Sequence, residues 1–515
     1  MSQSFKTVYF SDHPAESPHQ KNLTLAFSQR DAGIYEAVKS LSSQELRETL
    51  GHDSFESLRR AAADEGIALN TYCVRQLRRM AAQPHPVLAG LNAPPLPLFE
   101  PIQTTFRGGQ AEPLHDWYPY LEGYSPQFVE QVLLEFAPDA GRVLDPFAGS
   151  GTTPLTAANL GRQSFYCELN PLLQYLTECK TDALTAGEAT RLRWAARLRA
   201  LADELPERLA RTTPDELLKE TYAATFGGSR FFDEEVFVEV LRARTLADEL
   251  ACAEPPTARL FSIAVLSSLL PASRLIRRGD VRFRTEAESK RGAEEFVPSA
   301  QKFLRLIAAD LERIAPIKER PALVCENARY LDAVPPLEVD AVVTSPPYLN
   351  GTNYFRNTKV ELWFLRCLRT AADLAGFRQR AITAGINDVT VGKATGGGLP
   401  ASVAAVVERL RESAYDMRIP LMAATYFSDM DAVFRGLRRH VRPGGSVMID
   451  IGDSAYAGVH VPTHTLLTDL LLAQGFSFER EIVLRRRMSR GGEALQQLLL
   501  VFRATRATRA RGQRP

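Results

Sequence analysis

At 515 residues, 45% of them hydrophobic, the chain is long for one domain and can bury an ample core. A formal charge of +1 gives no global attraction to nucleic acid, so affinity for a polyanion must come from local clusters. No charged-then-apolar stretch opens the sequence and no unbroken apolar run could span a bilayer, so a cytoplasmic protein with no membrane partner is expected. The cysteines at 73, 167, 179, 252, 325 and 367 have neither metal-ligand spacing nor the density of a disulfide scaffold; no metal site is expected.

Residues 1–105 read as a mostly helical extension. Its helix, Gly break, helix pattern runs from Ser57 through Gly66 to Met80 and faintly resembles ribbon-helix-helix repressors, but no convincing strand precedes it and a helical packing module is the reading taken. The Pro-rich stretch from Leu91 to Pro97 closes it as a linker.

Residues 106–180 hold the first chemical signal. Arg142 to Leu144 reads as a strand, followed by Asp145-Pro146-Phe147-Ala148-Gly149-Ser150-Gly151-Thr152-Thr153 and a helix from near Thr152. Gly149 and Gly151 allow positive φ and close backbone approach to a ligand, and the helix N-terminus offers unpaired amide hydrogens. Three glycines of a dinucleotide fingerprint are not present, which disfavours NAD. A second strand, Ser164 to Cys167, ends on Glu168, placed to accept from a ribose diol. A nucleoside cofactor is implied.

From 181 to 318 the sheet is interrupted by amphipathic helices, such as Ala189 to Leu205 and Glu234 to Leu250, whose apolar stripes read as core. Within this insertion Arg274, Arg277, Arg278, Arg282 and Arg284 lie close together and look like a loop that grips phosphate or reads guanine edges, against the plainer reading of a solvated face.

The sheet resumes over 319–503 with Ala322 to Cys325 and Val339 to Val343. The second signal follows: Thr344-Ser345-Pro346-Pro347-Tyr348 sits at a strand's carboxyl end, where open α/β sheets place ligands. Two prolines fix the chain, so the Ser345 hydroxyl and the Pro346 carbonyl can both accept from one amino group, and Tyr348 offers a flat face to a base. A second insertion, about 350–420, should frame that pocket and carry a mobile loop at Gly396-Gly397-Gly398. Then come a helix from Met430 to His440, a turn from Val441 to Gly445, and strands Ser446 to Ile451 and Gln497 to Phe502. Arg485, Arg486 and Arg487, with Arg490, form a second basic cluster after a strand. The basic tail, 504–515, reads as disordered, attracting DNA non-specifically.

Asp-Pro-Phe-x-Gly-Ser-Gly-Thr-Thr resembles motif I of S-adenosylmethionine-dependent DNA amino-methyltransferases, and Glu168-Leu169-Asn170-Pro171 resembles their motif II. The segment from His115 through Tyr118 and Tyr120 to Pro126 is similar to motif X, which packs against the methionine end of the cofactor, and Glu326-Asn327-Ala328-Arg329 is similar to motif III, with Asn in place of the usual Asp. Asn350 to Trp363 is similar to the motif V region. The resemblance covers roughly Leu114 to Phe502 apart from the two insertions. It implies an α/β, Rossmann-like methyltransferase sheet with helical insertions and a helical N-terminal extension. S-adenosyl-L-methionine would be held by Tyr118, Tyr120, Asp145 to Phe147, Gly149 to Thr153, Glu168, Asn170, Asn327 and Ala328, with Ser345, Pro346, Pro347 and Tyr348 catalytic.

Ser-Pro-Pro-Tyr is the commoner spelling among cytosine-N4 enzymes and Asp-Pro-Pro-Tyr among adenine-N6 enzymes. The resemblance therefore implies methylation of the cytosine N4 amine in double-stranded DNA after base flipping, within a restriction-modification or related DNA-marking system that includes a cognate restriction endonuclease. The protein would act as a monomer or homodimer, reading its target through one of the insertions. Adenine N6 is the alternative. An RNA amino-methyltransferase of the THUMP tRNA type also shares such a site, and a non-catalytic DNA-binding protein is disfavoured because both motifs are intact. Cytosine-C5 chemistry is excluded by the lack of a Pro-Cys pair.

Overall fold

The computed structural model describes residues 104–505 except 111, 290–291, 350–351, 390–398, 489–491 and 493, together with Arg59 and Arg60. The N-terminal helix pair, the Gly396 to Gly398 segment, Arg490 and nearly all of the basic tail lie outside the described residues.

A seven-stranded sheet in the order β10-β11-β7-β6-β1-β2-β5 carries the molecule. β1 (Arg142–Asp145) pairs in parallel with β2 (Gln163–Cys167) and β6 (Val339–Thr344). β5 (Ala322–Cys325) and β7 (Val441–Gly452) extend the parallel part, whereas β10 (Phe476–Met488) and β11 (Ala494–Ala504) form an antiparallel hairpin on the β7 side. Strand order reverses beside β1: the chain runs from β1 outward to β2 and β5, then returns to β6 and β7. Such a switch point opens a crevice at the carboxyl ends of the strands.

Both faces of the sheet are covered, so its central strands are apolar on alternating sides. Val143, Ala341, Val343 and Met448 pack under α1 (Pro126–Phe136) and α2 (Thr152–Asn159). Leu144, Val342, Val447 and Ile449 face α13 (Arg418–His440) and α14 (Thr463–Ala473). Continuous burial of this kind is what leaves a parallel strand without polar alternation.

Between β2 and β5, α3 (Pro171–Thr185) leads into α4 (Glu188–Arg211), α5 (Glu216–Phe226), α6 (Glu234–Ala253), α7 (Pro255–Leu269) and α8 (Phe296–Arg313). These helices close over Trp117, Phe261, Phe296 and Trp363, each almost fully buried. Trp117 is fastened there by its indole N–H, which donates to Asp310 at 2.9 Å. α9 (Tyr354–Asn357), α10 (Lys359–Phe364), α11 (Ala371–Arg380) and α12 (Ala401–Ser413) follow β6.

Several sequence expectations change. The arginine-rich segment is a two-stranded hairpin, β3 (Leu275–Arg278) and β4 (Asp280–Phe283), rather than a loop, because Gly279 at φ +77° makes the turn. Arg485, Arg486 and Arg487 lie within β10, paired with Gln497, Gln496 and Leu495, not after a strand. Val441 to Gly445 joins β7 as a bulge: the ladder with β6 passes from Val339–Val441 to Ala341–Ser446, with Gly444 at φ +81° absorbing the extra residues. α13 begins a dozen residues before Met430, its apolar stripe continuing through Ile419, Met422 and Tyr426. A minor ribbon, β8 (Ser454–Tyr456) and β9 (Val459–Val461), follows β7. Among the described residues no helix is long and apolar enough to cross a membrane.

Candidate active site

The two motifs distant in sequence end adjacent strands. Thr344, last residue of β6, donates its hydroxyl to Asp145 Oδ1 of β1 at 2.6 Å, and the same oxygen accepts from the Phe147 amide at 2.9 Å. Burial pushes the Asp145 carboxyl up to about 6 against these bonds. Between the strand ends lies a pocket of about 370 Å³, within the range of small-molecule sites.

The loop after β1 wraps one end of it. Gly149, at φ +56°, lies so close to Tyr120 that a Cβ would stand 3.2 Å from the ring, and its amide donates to Glu168 at 2.8 Å. Gly151, at φ +87°, serves packing instead: a Cβ there would meet the Thr177 hydroxyl of α3 at 2.7 Å. Buried Lys180 on α3 donates to the Ser150 carbonyl at 3.0 Å, and burial holds its amine down to about 8. Glu168 accepts from the amides of Gly149 and Asn170, with burial pushing its carboxyl up to about 7.

Of the residues expected to hold a cofactor, Tyr120, Pro146, Phe147, Gly149, Ser150 and Thr152 line the pocket, as do Glu168, Asn170, Asn327 and Ala328. Asp145, Gly151, Thr153 and Tyr118 do not reach its wall. Asp145 ties strands together, Thr153 bonds the Tyr124 hydroxyl, and Tyr118 points away, donating to Glu361 at 2.8 Å. Asn170 and Asn327 each carry a structural duty as helix caps, accepting from Leu172 and Arg329 amides.

Ser345, Pro346, Pro347 and Tyr348 line the other end. Tyr348 donates to Asp450 Oδ1 of β7 at 2.8 Å, while the Gln497 amide of β11 donates to both Asp450 oxygens, at 2.8 and 3.0 Å, and to the tyrosine oxygen at 3.0 Å. The Ser345 side chain lies near enough to the tyrosine oxygen to favour its ionised form. Burial pushes the Asp450 carboxyl up to about 6, and burial together with Asp450 drives the Tyr348 phenol well above its usual value. Gly452 leaves the room that the Tyr348 ring occupies, a Cβ there falling 3.1 Å from it. Asp450 and Gln497 are site residues that the sequence motifs do not mark; the available signal was an acid in the apolar run Val447-Met448-Ile449-Asp450-Ile451 near its carboxyl end.

Of the five arginines on and beside the hairpin, Arg277 is turned inward, and the others are exposed or half-buried but held by protein partners. Arg277, its side chain 6% exposed, donates to the Tyr118 hydroxyl and the Asn357 carbonyl at 3.2 and 3.0 Å and lies 3.9 Å from both Glu122 and Glu361. Arg278 and Arg282 pair with Glu288 at 3.3 and 2.8 Å, Arg284 donates to the carbonyls of Leu275, Pro271 and Gly292, and Arg274 stands 3.9 Å from Asp233. A phosphate-gripping role is therefore geometrically closed to Arg277, because its guanidinium is buried among protein partners. Arg485 reaches the pocket wall and Arg486 is exposed.

A family model described as DNA methylase, of the N6 and N4 kind, matches residues 117–178. The type II methyltransferase M.BsoBI of Geobacillus stearothermophilus is 36% identical over 78 residues, 15% of each chain. The type II methyltransferase M.AvaI of Nostoc sp. is 24% identical over 423 residues, spanning 74% of this chain and 82% of that protein, and M.AvaI of Anabaena variabilis matches to the same extent.

Proposed function

The chain belongs to the DNA amino-methyltransferase family, and on that premise we propose that it transfers a methyl group from S-adenosylmethionine to the N4 amine of cytosine in double-stranded DNA. The observation that carries this reading is one pocket with Gly149 and Glu168 at one end and Ser345 to Tyr348 at the other.

The pocket's residues fit the cofactor. A carboxylate has about four lone-pair sites, and Glu168 accepts from the amides of Gly149 and Asn170, with the Leu169 amide a further, weaker donor, which leaves it capacity to accept from a ribose diol. The absence of a side chain at Gly149 gives the nucleoside and methionine portions a continuous cradle beside Tyr120. When bound, S-adenosylmethionine supplies an electrophilic methyl on a sulfonium.

The chain's own groups act on the amine. Its lone pair is delocalised into the ring, so acceptors at Ser345 Oγ and the Pro346 carbonyl favour a tetrahedral nitrogen that attacks in line, and positioning of two bound reactants provides most of the rate. Tyr348 offers the base a stacking surface that offsets part of the unstacking cost. The methylated nitrogen must then lose a proton. Ser345 Oγ, Tyr348 Oη and Asp450 Oδ1 would relay that proton from the amine to a carboxylate that is ionised at neutral pH, the Tyr348–Asp450 link standing at 2.8 Å. Because position 345 is serine, this carboxylate on β7 is the nearest base that the pocket offers along such a path.

Plasmid DNA treated with the enzyme and cofactor, digested to nucleosides and analysed by mass spectrometry, tests the proposal. N4-methyldeoxycytidine supports it. N6-methyldeoxyadenosine overturns the base but keeps the mechanism, 5-methyldeoxycytidine overturns the mechanism, and modification of tRNA alone overturns the DNA substrate.

A further inference from the structure

A group of cations beside the pocket mouth belongs to neither basic cluster read from the sequence. Tyr354 and Phe355 line the pocket from α9, and Ala381 and Ile382 line it just after α11. Arg356 on α9, Lys359 on α10 and Arg378 on α11 stand behind these wall residues, close enough that both arginines act on the lysine electrostatically. Stacking of Phe355 on Phe377, with centroids 5.0 Å apart and planes at 12°, locks α9 to α11 and holds the three together.

Their surroundings are short of anions. Asp280 lies 3.6 Å from Arg356, and Glu361, the other nearby carboxylate, is buried and already accepts from Tyr118. Among the described residues, no carboxylate lies within 4 Å of Lys359 or Arg378, and the buried Nε of Arg378 has no hydrogen-bond partner. Lys359 Nζ sits 4.1 Å above the Phe231 ring. A ring face attracts a cation but accepts none of its three N–H bonds in ordinary geometry. Burial first, then the two arginines, hold its amine down to about 8 against the opposing pull of Glu361.

We infer that Arg356, Lys359 and Arg378 form a binding site for a phosphodiester group of the DNA backbone flanking the flipped nucleotide. The inference rests on the DNA reading above and adds to it the place where the strand is held. A flipped base enters the pocket while its phosphates stay at the rim, and the site lies directly behind the rim residues Phe355 and Ala381. Guanidinium groups present paired donors to two phosphate oxygens and the ammonium adds a point charge, and the phosphodiester supplies the anion that the cluster lacks.

Two experiments test it. Lys359→Met and Arg378→Gln, singly and together, keep most of the packing volume; a mixed-sequence duplex is titrated against each by fluorescence polarisation over a salt series. The double variant should bind about tenfold more weakly, with the slope of log affinity against log salt reduced by about 1–2, while cofactor affinity by calorimetry stays within about twofold of wild type. An unchanged slope overturns the inference. A wild-type protein that binds no duplex would sink the DNA reading itself, a separate failure.

The second experiment needs no substitution. The intact protein is acylated at neutral pH with an amine-reactive ester, and Lys359 labelling is read by peptide mass spectrometry. The duplex should protect Lys359 several-fold. Equal labelling with and without duplex overturns the site; protection by inorganic phosphate but not by duplex reassigns it to a free phosphate, and protection by cofactor alone reassigns it to the cofactor, both overturning the inference.

Discussion

Thr344 Oγ1 donates to Asp145 Oδ1 at 2.6 Å, so the last residues of two adjacent parallel strands hold each other at the point where each strand releases its loop. The loop toward the cofactor and the loop carrying Ser345 thus share one reference. Thr344→Val keeps the shape and removes the donor, leaving a buried carboxylate short of a partner. Stability in chemical denaturation should fall by about 1–3 kcal/mol, and turnover should fall with it, because the loop that positions the amine loses its register. Thr344→Ser should restore both; a valine variant with wild-type stability would mean that the bond is idle.

The two glycines of the loop after β1 predict different losses. Gly151→Ala places a methyl 2.7 Å from the Thr177 hydroxyl at a φ of +87°, so it should cost about 1–3 kcal/mol of stability, partly recovered by adding Thr177→Ala. Gly149→Ala meets only the Tyr120 ring, at 3.2 Å inside the pocket, so it should weaken cofactor binding more than folding. Calorimetry and denaturation on the same samples separate the two. Equal profiles for both variants would contradict this division of labour.

Much of the site could be read from the chain because its loops have backbone demands that only particular residues meet. Gly149 and Gly151 in positive φ, and the paired Pro346 and Pro347, mark their turns in linear order. Asp450 and Gln497 make no such demand. They reach Tyr348 only because β7 lies next to β6 and β11 next to β7 in the sheet, a neighbourhood that depends on strand order rather than on local sequence. The burial of Arg277 was hidden for the same reason: charge density is visible in the sequence, whereas Glu122 and Glu361, which flank it at 3.9 Å, come from distant segments. Tyr118 was drawn with Tyr120 by the resemblance to motif X, but its hydroxyl is taken by Glu361 and Arg277, partners that come from distant segments.

Arg277 and Arg278 differ in consequence although they are adjacent. Arg277→Met strips the buried Tyr118, Glu122 and Glu361 of their cation, and loss of one member of such a network costs on the order of 3–5 kcal/mol. Arg278, 62% exposed with one ion pair to Glu288, should change stability by no more than about 0.5 kcal/mol when replaced by alanine. Urea denaturation of both variants is the check, and similar midpoints would refute the inward role of Arg277.

If Glu168 accepts from the ribose diol as proposed, cofactor binding depends on pH. Its carboxyl sits at about 7 in the pocket because burial outweighs the amide hydrogen bonds it accepts, and a ribose diol donates to the ionised form. Binding should therefore release protons near pH 7 and strengthen as the pH rises through that value. Calorimetry in buffers of different ionisation heat measures the proton count. Proton uptake, or an affinity indifferent to pH, would exclude Glu168 as the diol's acceptor.

Asp450 offers the sharpest separation of rate from stability. Its folded carboxyl is raised by burial from the usual carboxylate range to about 6, so the stability that it contributes is fully present below the unfolded value and is lost as pH rises through about 6. At pH 8 it is a buried anion held by Tyr348 and Gln497. Asp450→Asn keeps an oxygen to accept from Tyr348 while removing the charge, and should leave the protein more stable at pH 8 by about 1–3 kcal/mol. If the carboxylate takes the proton that leaves the amine by way of Ser345 and Tyr348, the wild-type rate at saturating substrates rises with pH through about 6. The asparagine variant should then lose that limb along with most of its turnover, with cofactor and DNA affinity retained. Tyr348→Phe should break the same path between serine and carboxylate while keeping a ring for stacking, and so reproduce the rate loss without the gain in stability. An asparagine variant that is slow but keeps the acid limb would assign that limb to another group and leave Asp450 as a support for Tyr348 alone.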